Sequence, residues 1–406
     1  MSRLERRAVL AGRPSNRAPV PLLAGIVIGS VCAAIALILY ARQPGLGGAR
    51  ATAIGIALAL PTAAAIVAAL LWVDRLEPEP RLNLLFAFLG GAGMATLLAL
   101  VVNTVSRDYL VVPAFGVTEG TLISTVIGAP IVEETAKGGV LLMLLRLRRQ
   151  EIDGPTDGIV YAAMVGVGFA LSENVNYYMR GLHLGGTMLA YTVVLRGLIA
   201  PLCHPLFTSM TGLGVAYSAE RRGGSRAAIV IGWLAAIVLH ALWNTSSQFK
   251  LPGIAIVYAL LLIVLLVLVG VLLHDRHRLV RLIARHVPAY AGNGLVTDDD
   301  VLMLSSLHGR RGARVWARLH GGMRSARAMG DYQLAATELA LLHHRVETGT
   351  EGLREFDRRG AGLLRLMEDA RDAFLRRQPR PQDPPWASRG SSGFSPVRGP
   401  VPPPGR

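Results

Sequence analysis

Eight side chains able to do acid–base or ligand chemistry lie within otherwise apolar runs: Glu133, Glu134, Lys137, Glu173, Asn174, His204, His240 and Asn244. An ionisable side chain at mid-bilayer costs at least ~2.5 kcal/mol, so such residues usually face a polar interior and mark function. Two carboxylates, two imidazoles and an amide suit hydrolysis. A carboxylate can take a proton from water, and His and Asn can hold an oxyanion. Alternatively, His204, His240 and Glu134 offer the two imidazoles and one carboxylate that bind zinc and leave a fourth position for water. The HExxH helix of common zinc proteases is absent.

Spacing supports a common site. Counted at ~1.5 Å per residue from the charged end of each run, Glu133 lies roughly 20 Å deep, Glu173 and His204 roughly 24 Å, and His240 roughly 21 Å. Four separate helices therefore bring an acid or an imidazole to nearly the same level. Glu133 and Lys137 are four apart and share a face, as do His240 and Asn244. Glu133 and Glu134 are adjacent and point about 100° apart, so they need not do the same job.

The elements that must position these groups are hydrophobic runs at 19–41, 51–73, 82–103, 121–145, 157–179, 187–219, 226–249 and 252–273. All but the sixth, 187–219, are near the ~20 residues needed to cross a hydrocarbon core. Charged residues make up 17% of the 406 residues, below the ~25% of soluble domains. The expected fold is all-α: a polytopic transmembrane helical bundle of about eight spans. The sixth run is the longest and contains Arg196, Pro201 and Pro205. It reads either as one tilted helix kinked at proline or as a broken helix with a re-entrant part.

The net charge of +15 lies mostly in short connections and in the segments outside the runs. Arginines concentrate in alternate connections, which by the positive-inside rule puts both ends in the cytoplasm of a bacterial inner-membrane protein. The basic regions lack interleaved aromatics and any binding-module motif, so nucleic acid is not an expected partner. The expected organisation is a cytoplasmic tail at 1–18, a transmembrane domain at 19–274, a cytoplasmic helical region at 275–378 and a disordered Pro-rich tail at 379–406. Within the third segment, Leu334, Leu339, Leu341, Leu342 and Val346 mark an amphipathic helix, and Thr297 with three following Asp residues marks a helix start. Several residues have plainer readings. Asp157 caps a helix, Arg196 snorkels toward an outer end, His183 is a solvated loop residue, and Cys32 and Cys203 act as small hydrophobes.

At its polar motifs the chain resembles the PrsW family of intramembrane proteases, a distant relative of the CAAX prenyl endopeptidases and of bacterial abortive-infection membrane proteins. Asp74-Arg-Leu-Glu77-Pro-Glu79-Pro resembles that family's acidic, proline-containing connection. Pro130-Ile-Val-Glu133-Glu134-Thr-Ala-Lys137 looks like its EExxK motif, and Phe169-Ala-Leu-Ser-Glu173-Asn174 like its second motif. His204 and His240-Ala-Leu-Trp-Asn244 look like its histidine motifs. The resemblance covers about residues 74–250 and says nothing of 275–406.

It implies peptide-bond hydrolysis in or beside the membrane, on a single-span membrane protein such as an anti-sigma factor. Glu133 and Glu134 would be the essential acids, one of them activating water. His204 would bind water or metal, and His240 with Asn244 would hold the oxyanion. Lys137, Glu173 and Asn174 would support them. The mechanism is left between a glutamate-activated water and a zinc enzyme, and the absence of a close HxxxH ligand pair favours the former. Two rival readings stand beside it. A transporter or proton relay would use the same Glu/His/Lys cluster and predicts inverted repeats, which the sequence does not display. A membrane scaffold would recruit partners through 275–406. Oligomeric state is not legible.

Overall fold

The helices follow from runs of Leu, Val, Ile and Ala that cannot satisfy their backbone groups in lipid except internally. The computed structural model describes residues 20–75, 78–220, 224–349 and 351–375, and among these no strand occurs. They form two compact units, 20–273 and 274–375. The expected tails at 1–18 and 379–406, and Glu77 of the acidic connection, lie outside the described residues.

In the first unit α1 is Val20–Ala41, α2 Gly48–Val73, α3 Arg81–Phe115, α4 Ala129–Arg148, α5 Pro155–His183, α6 Gly186–Val193, α7 Cys203–Glu220 and α8 Arg226–Ser246. Helix α9, Lys250–His286, starts here and continues past Leu273. Among the described residues, six helical stretches are long and apolar enough to cross a membrane, against the eight runs expected. Two features account for the difference. The runs 226–249 and 252–273 fall within one apolar stretch, Arg226–Gly292, although the chain departs from helix at Lys250, whose φ is +54°. Helix α4 carries Glu133, Glu134, Lys137, Arg146 and Arg148, too much charge for a span judged by composition. The sixth run is interrupted. α6 passes into a wide π-helical turn, Val194–Ile199, and the helix restarts at Cys203, because Pro201 and Pro205 cannot donate the backbone bonds that would bridge them.

Helix α5 is the core of the unit, buried along most of its length. Its glycines allow backbones to meet. A Cβ on Gly158 would stand 2.4 Å from the Gly212 carbonyl oxygen on α7, and one on Gly166 would stand 2.8 Å from the His204 carbonyl. Small residues are what membrane helices use for such approach. A second π-helical turn, Gly90–Ala95 in α3, frees the Ala92 carbonyl, which accepts from Ser172 Oγ of α5 at 2.7 Å. Large apolar side chains elsewhere point outward, among them Val27, Val31 and Ile38 of α1 and Ile263, Leu266 and Val267 of α9. A soluble protein would not leave so much apolar surface uncovered.

The acidic connection between α2 and α3 folds inward. Glu79 accepts a short hydrogen bond from the Tyr161 hydroxyl, Asn83 Nδ2 donates to the same hydroxyl at 3.0 Å, and the Glu79 amide donates to Asp74 Oδ2 at 2.8 Å. Burial pushes the Asp74 carboxyl up to about 7 and Glu79 well above the ordinary carboxylate range. Asp157 accepts from the Asp153 and Gly154 amides and so starts α5, as expected.

The second unit contains α10 Asp298–Leu304, α11 Leu307–Glu347 and α12 Leu353–Leu375. Thr297 caps α10 reciprocally with Asp300. The expected amphipathic helix is the second half of α11, where Leu339, Leu341 and Leu342 are buried.

The Gly158–Gly212 contact is testable. Gly158→Val should lower the unfolding temperature in detergent by the equivalent of about 1–3 kcal/mol through overpacking. An unchanged melting temperature would contradict the contact.

Candidate active site

Helix α4 supplies Glu133, Glu134 and Lys137, α5 supplies Glu173 and Asn174, α7 supplies His204 and α8 supplies His240. The structure brings these together. Lys137 is fully buried, and its Nζ donates to Glu134 Oε1 at 2.7 Å and to His204 Nδ1 at 2.9 Å. It also lies 3.9 Å from the centre of the Phe169 ring, a cation–π arrangement. The i,i+4 pair with Glu133 is also present but longer, with Oε2 4.0 Å from Nζ. Both i,i+3 and i,i+4 partners share a helix face, and the histidines select the nearer of the two.

Glu134 uses both oxygens. Oε1 also accepts from His240 Nδ1 at 3.0 Å, and Oε2 accepts from Thr208 Oγ1 at 3.2 Å. Glu133 is different. Its Oε1 receives a long contact from Asn103 Nδ2 at 3.4 Å, and its Oε2 is buried with no hydrogen-bond partner among the described residues. His240 Nε2 stands 3.9 Å from that oxygen.

The imidazole protons follow from the partners, since a carboxylate only accepts and an ammonium only donates. His204 donates from Nε2 to Glu173 Oε2 at 2.8 Å and accepts from Lys137 at Nδ1. His240 donates from Nδ1 to Glu134, which leaves the Nε2 lone pair facing Glu133. The two rings meet edge to face, with centroids 5.1 Å apart.

Arg196 is not the snorkelling residue expected at an outer end. The π-helical turn aims it into the cluster, where it forms a short ion pair with Glu173 and donates from Nε to Asn174 Oδ1 at 2.6 Å. Its guanidinium lies 3.9 Å from the Tyr177 ring centre. Asn244 is the expected site residue that the structure does not bring in. Its amide donates to the Thr125 carbonyl at 2.9 Å, because one further helical turn carries it about 6 Å along α8 beyond His240. Asn103, Thr208 and Arg196 were missed by sequence reasoning. A lone Asn or Thr in an apolar run carries no distinguishing signal, and the direction of Arg196 depends on a turn that only the fold reveals.

A metal fits part of this arrangement without change. Glu133, His204 and His240 each offer a ligand atom, and the three lie within 4.8 Å of one another. The carboxylate that closes the set is Glu133, where Glu134 was expected, because Glu134 is already committed. The carboxylate behind each imidazole is the arrangement that fixes a metal-binding tautomer. The partnerless Glu133 oxygen and the free His240 Nε2 are ready donors, whereas His204 Nδ1 must first release Lys137.

Residues 79–271 match the family described as PrsW family intramembrane metalloprotease. This region is similar to the PrsW family. A curated relative, "Protease PrsW" of Geobacillus kaustophilus (strain HTA426), is 30% identical over 140 residues, or 34% of this chain and 55% of that protein. The chain thus spans about half the length of that relative. No solved structure matches. Every member of the cluster falls inside the matched residues 79–271.

The Arg196–Glu173 pair is open to test. Arg196→Leu leaves the half-buried Glu173 carboxylate with only the His204 N–H as partner and should cost about 1–3 kcal/mol of stability. Arg196→Lys keeps the charge but loses the fork that reaches both Glu173 and Asn174, so it should recover only part. Thermal unfolding in detergent reads both, and an Arg196→Leu protein as stable as wild type would contradict the pairing.

Proposed function

We propose that the protein is an intramembrane endopeptidase in which Glu133 takes the proton from the attacking water. The observation that carries this reading is the unequal state of the two glutamates. Glu134 is held at both oxygens by Lys137, His240 and Thr208, while Glu133 keeps a buried, partnerless oxygen beside His240 and Lys137. A carboxylate lone pair in a largely dry interior is suited to act as general base. The water oxygen bonds to the scissile carbonyl carbon as Glu133 accepts the proton. Lys137 supplies fixed positive charge near the oxyanion. Glu133 then returns the proton to the amide nitrogen as the C–N bond breaks. Glu134, Glu173 and Arg196 orient the two imidazoles and the lysine.

A second reading rests on the Glu133–His204–His240 set and on the metalloprotease description of the family. If Glu133, His204 and His240 bind zinc, the metal would bring its bound water's pKa near 7 and polarise the carbonyl. Glu133 is then a ligand rather than the base. The name of the Geobacillus relative, Protease PrsW, agrees with both readings. We propose as substrate a single-span membrane protein, such as an anti-sigma factor, and as location a bacterial inner membrane with both chain ends cytoplasmic.

The purified protein, incubated with a panel of single-span membrane proteins, should cleave at least one. Glu133→Gln and His240→Ala should each reduce the rate by about 10²-fold or more. Loss of activity with a chelator, together with one bound zinc per chain in wild type, would select the metal reading. Wild-type cleavage by Glu133→Gln would overturn both.

A further inference from the structure

The second unit carries a surface that the proposed activity does not use. Residues 301–330 contain six arginines, Arg310, Arg311, Arg314, Arg318, Arg324 and Arg327, and no Asp or Glu. Arg310 is buried, where it donates to the Leu304 carbonyl and to Thr337, and Arg314 donates to Gln333. Arg311, Arg318, Arg324 and Arg327 are exposed. Between these arginines lie large apolar side chains that are also open: Val315 at 51%, Leu319 at 78% and Met323 at 54% exposure.

The pattern is geometric. At about 100° per residue, Arg318, Arg311, Val315 and Leu319 occupy roughly 100° of the first leg of α11, in that angular order. A basic sector therefore adjoins an apolar one on the same open face, with the half-buried Trp316 beyond it. The buried Ala317 lies on the opposite, inward side. Gly322, with φ +69°, bends the helix at the end of this leg, and Met323, Arg324 and Arg327 continue the same mixture beyond the bend.

We propose that this face of α11 binds the surface of an anionic lipid bilayer. The apolar sector matches what an interfacial helix inserts, and the adjoining arginines match what it places against acidic headgroups. Each such arginine is attracted to an anionic surface. The absence of any acid across thirty residues removes the repulsion that would oppose it. The helix that carries the face begins 34 residues after Leu273, the end of the last apolar run, so chain connectivity supplies a high effective concentration of bilayer. A nucleic acid would satisfy the charge but leave Val315, Leu319 and Met323 without a role.

The test uses the full chain in nanodiscs of phosphatidylcholine alone or with 30% phosphatidylglycerol, read by amide hydrogen exchange across 307–327. Exchange should slow in the anionic discs and return toward the neutral-disc rate at high salt. Arg311→Glu with Arg318→Glu should weaken the protection by about 10-fold or more, as should Val315→Ser with Leu319→Ser. Both positions of each pair are exposed, so the unit should remain folded, and unchanged exchange across 333–347 would verify this. Equal exchange in the two disc types would overturn the proposal. So would protection that appears in neutral discs only when an oligonucleotide is added.

Discussion

A lysine ammonium with no exposed surface, Lys137, is the constraint around which the membrane-embedded unit is organised. An unpaired charge there would be expelled or neutralised. The fold surrounds it with Glu134, His204 and the face of Phe169, contributed by three different helices. Once Lys137 and Glu134 are fixed, His240 is oriented by Glu134, and His204 by Lys137 on one side and Glu173 on the other. Glu173 in turn takes its charge partner from Arg196. The polar network is therefore a chain of mutual obligations, and Glu133 is the member left with an unspoken-for oxygen.

The rest of the bundle serves this network by bringing backbones close enough for short side chains to meet. Glycines on α5 let it approach α7, and Gly166 lies directly against the His204 backbone. The interruption between α6 and α7 plays the complementary part. It aims Arg196 inward and restarts the helix just before His204. Non-helical backbone at such depth is tolerated where protein meets it, and here Thr62 of α2 donates to the Gly197 carbonyl at 3.2 Å while Tyr178 of α5 lies against Gly197.

Much of this was legible in the sequence. An acid or imidazole on four apolar runs at nearly equal depth pointed to one cluster, and the glutamates, histidines and lysine do meet. Three details were not legible, each for a physical reason. Helical spacing alone cannot choose between Glu133 and Glu134 as partner of Lys137, because the choice is made by His204 and His240 from other helices. The π-helical turn reverses the reading of Arg196 from lipid-facing to site-facing, and no propensity announces such a turn. Asn244 shares a face with His240, but sharing a face fixes direction and not depth. The number of spans was also obscured, since the helix with the most important charges is the one whose composition least resembles a span.

The central claim is that Lys137 and Glu134 are a coupled buried pair on which the site's order depends. A double-mutant cycle on thermal unfolding in detergent tests it most directly, with Lys137→Met, Glu134→Gln and the two combined. The account predicts that Lys137→Met alone costs about 3–5 kcal/mol and that adding Glu134→Gln restores a large part of that loss. Losses that simply add, as they do for independent sites, would contradict it.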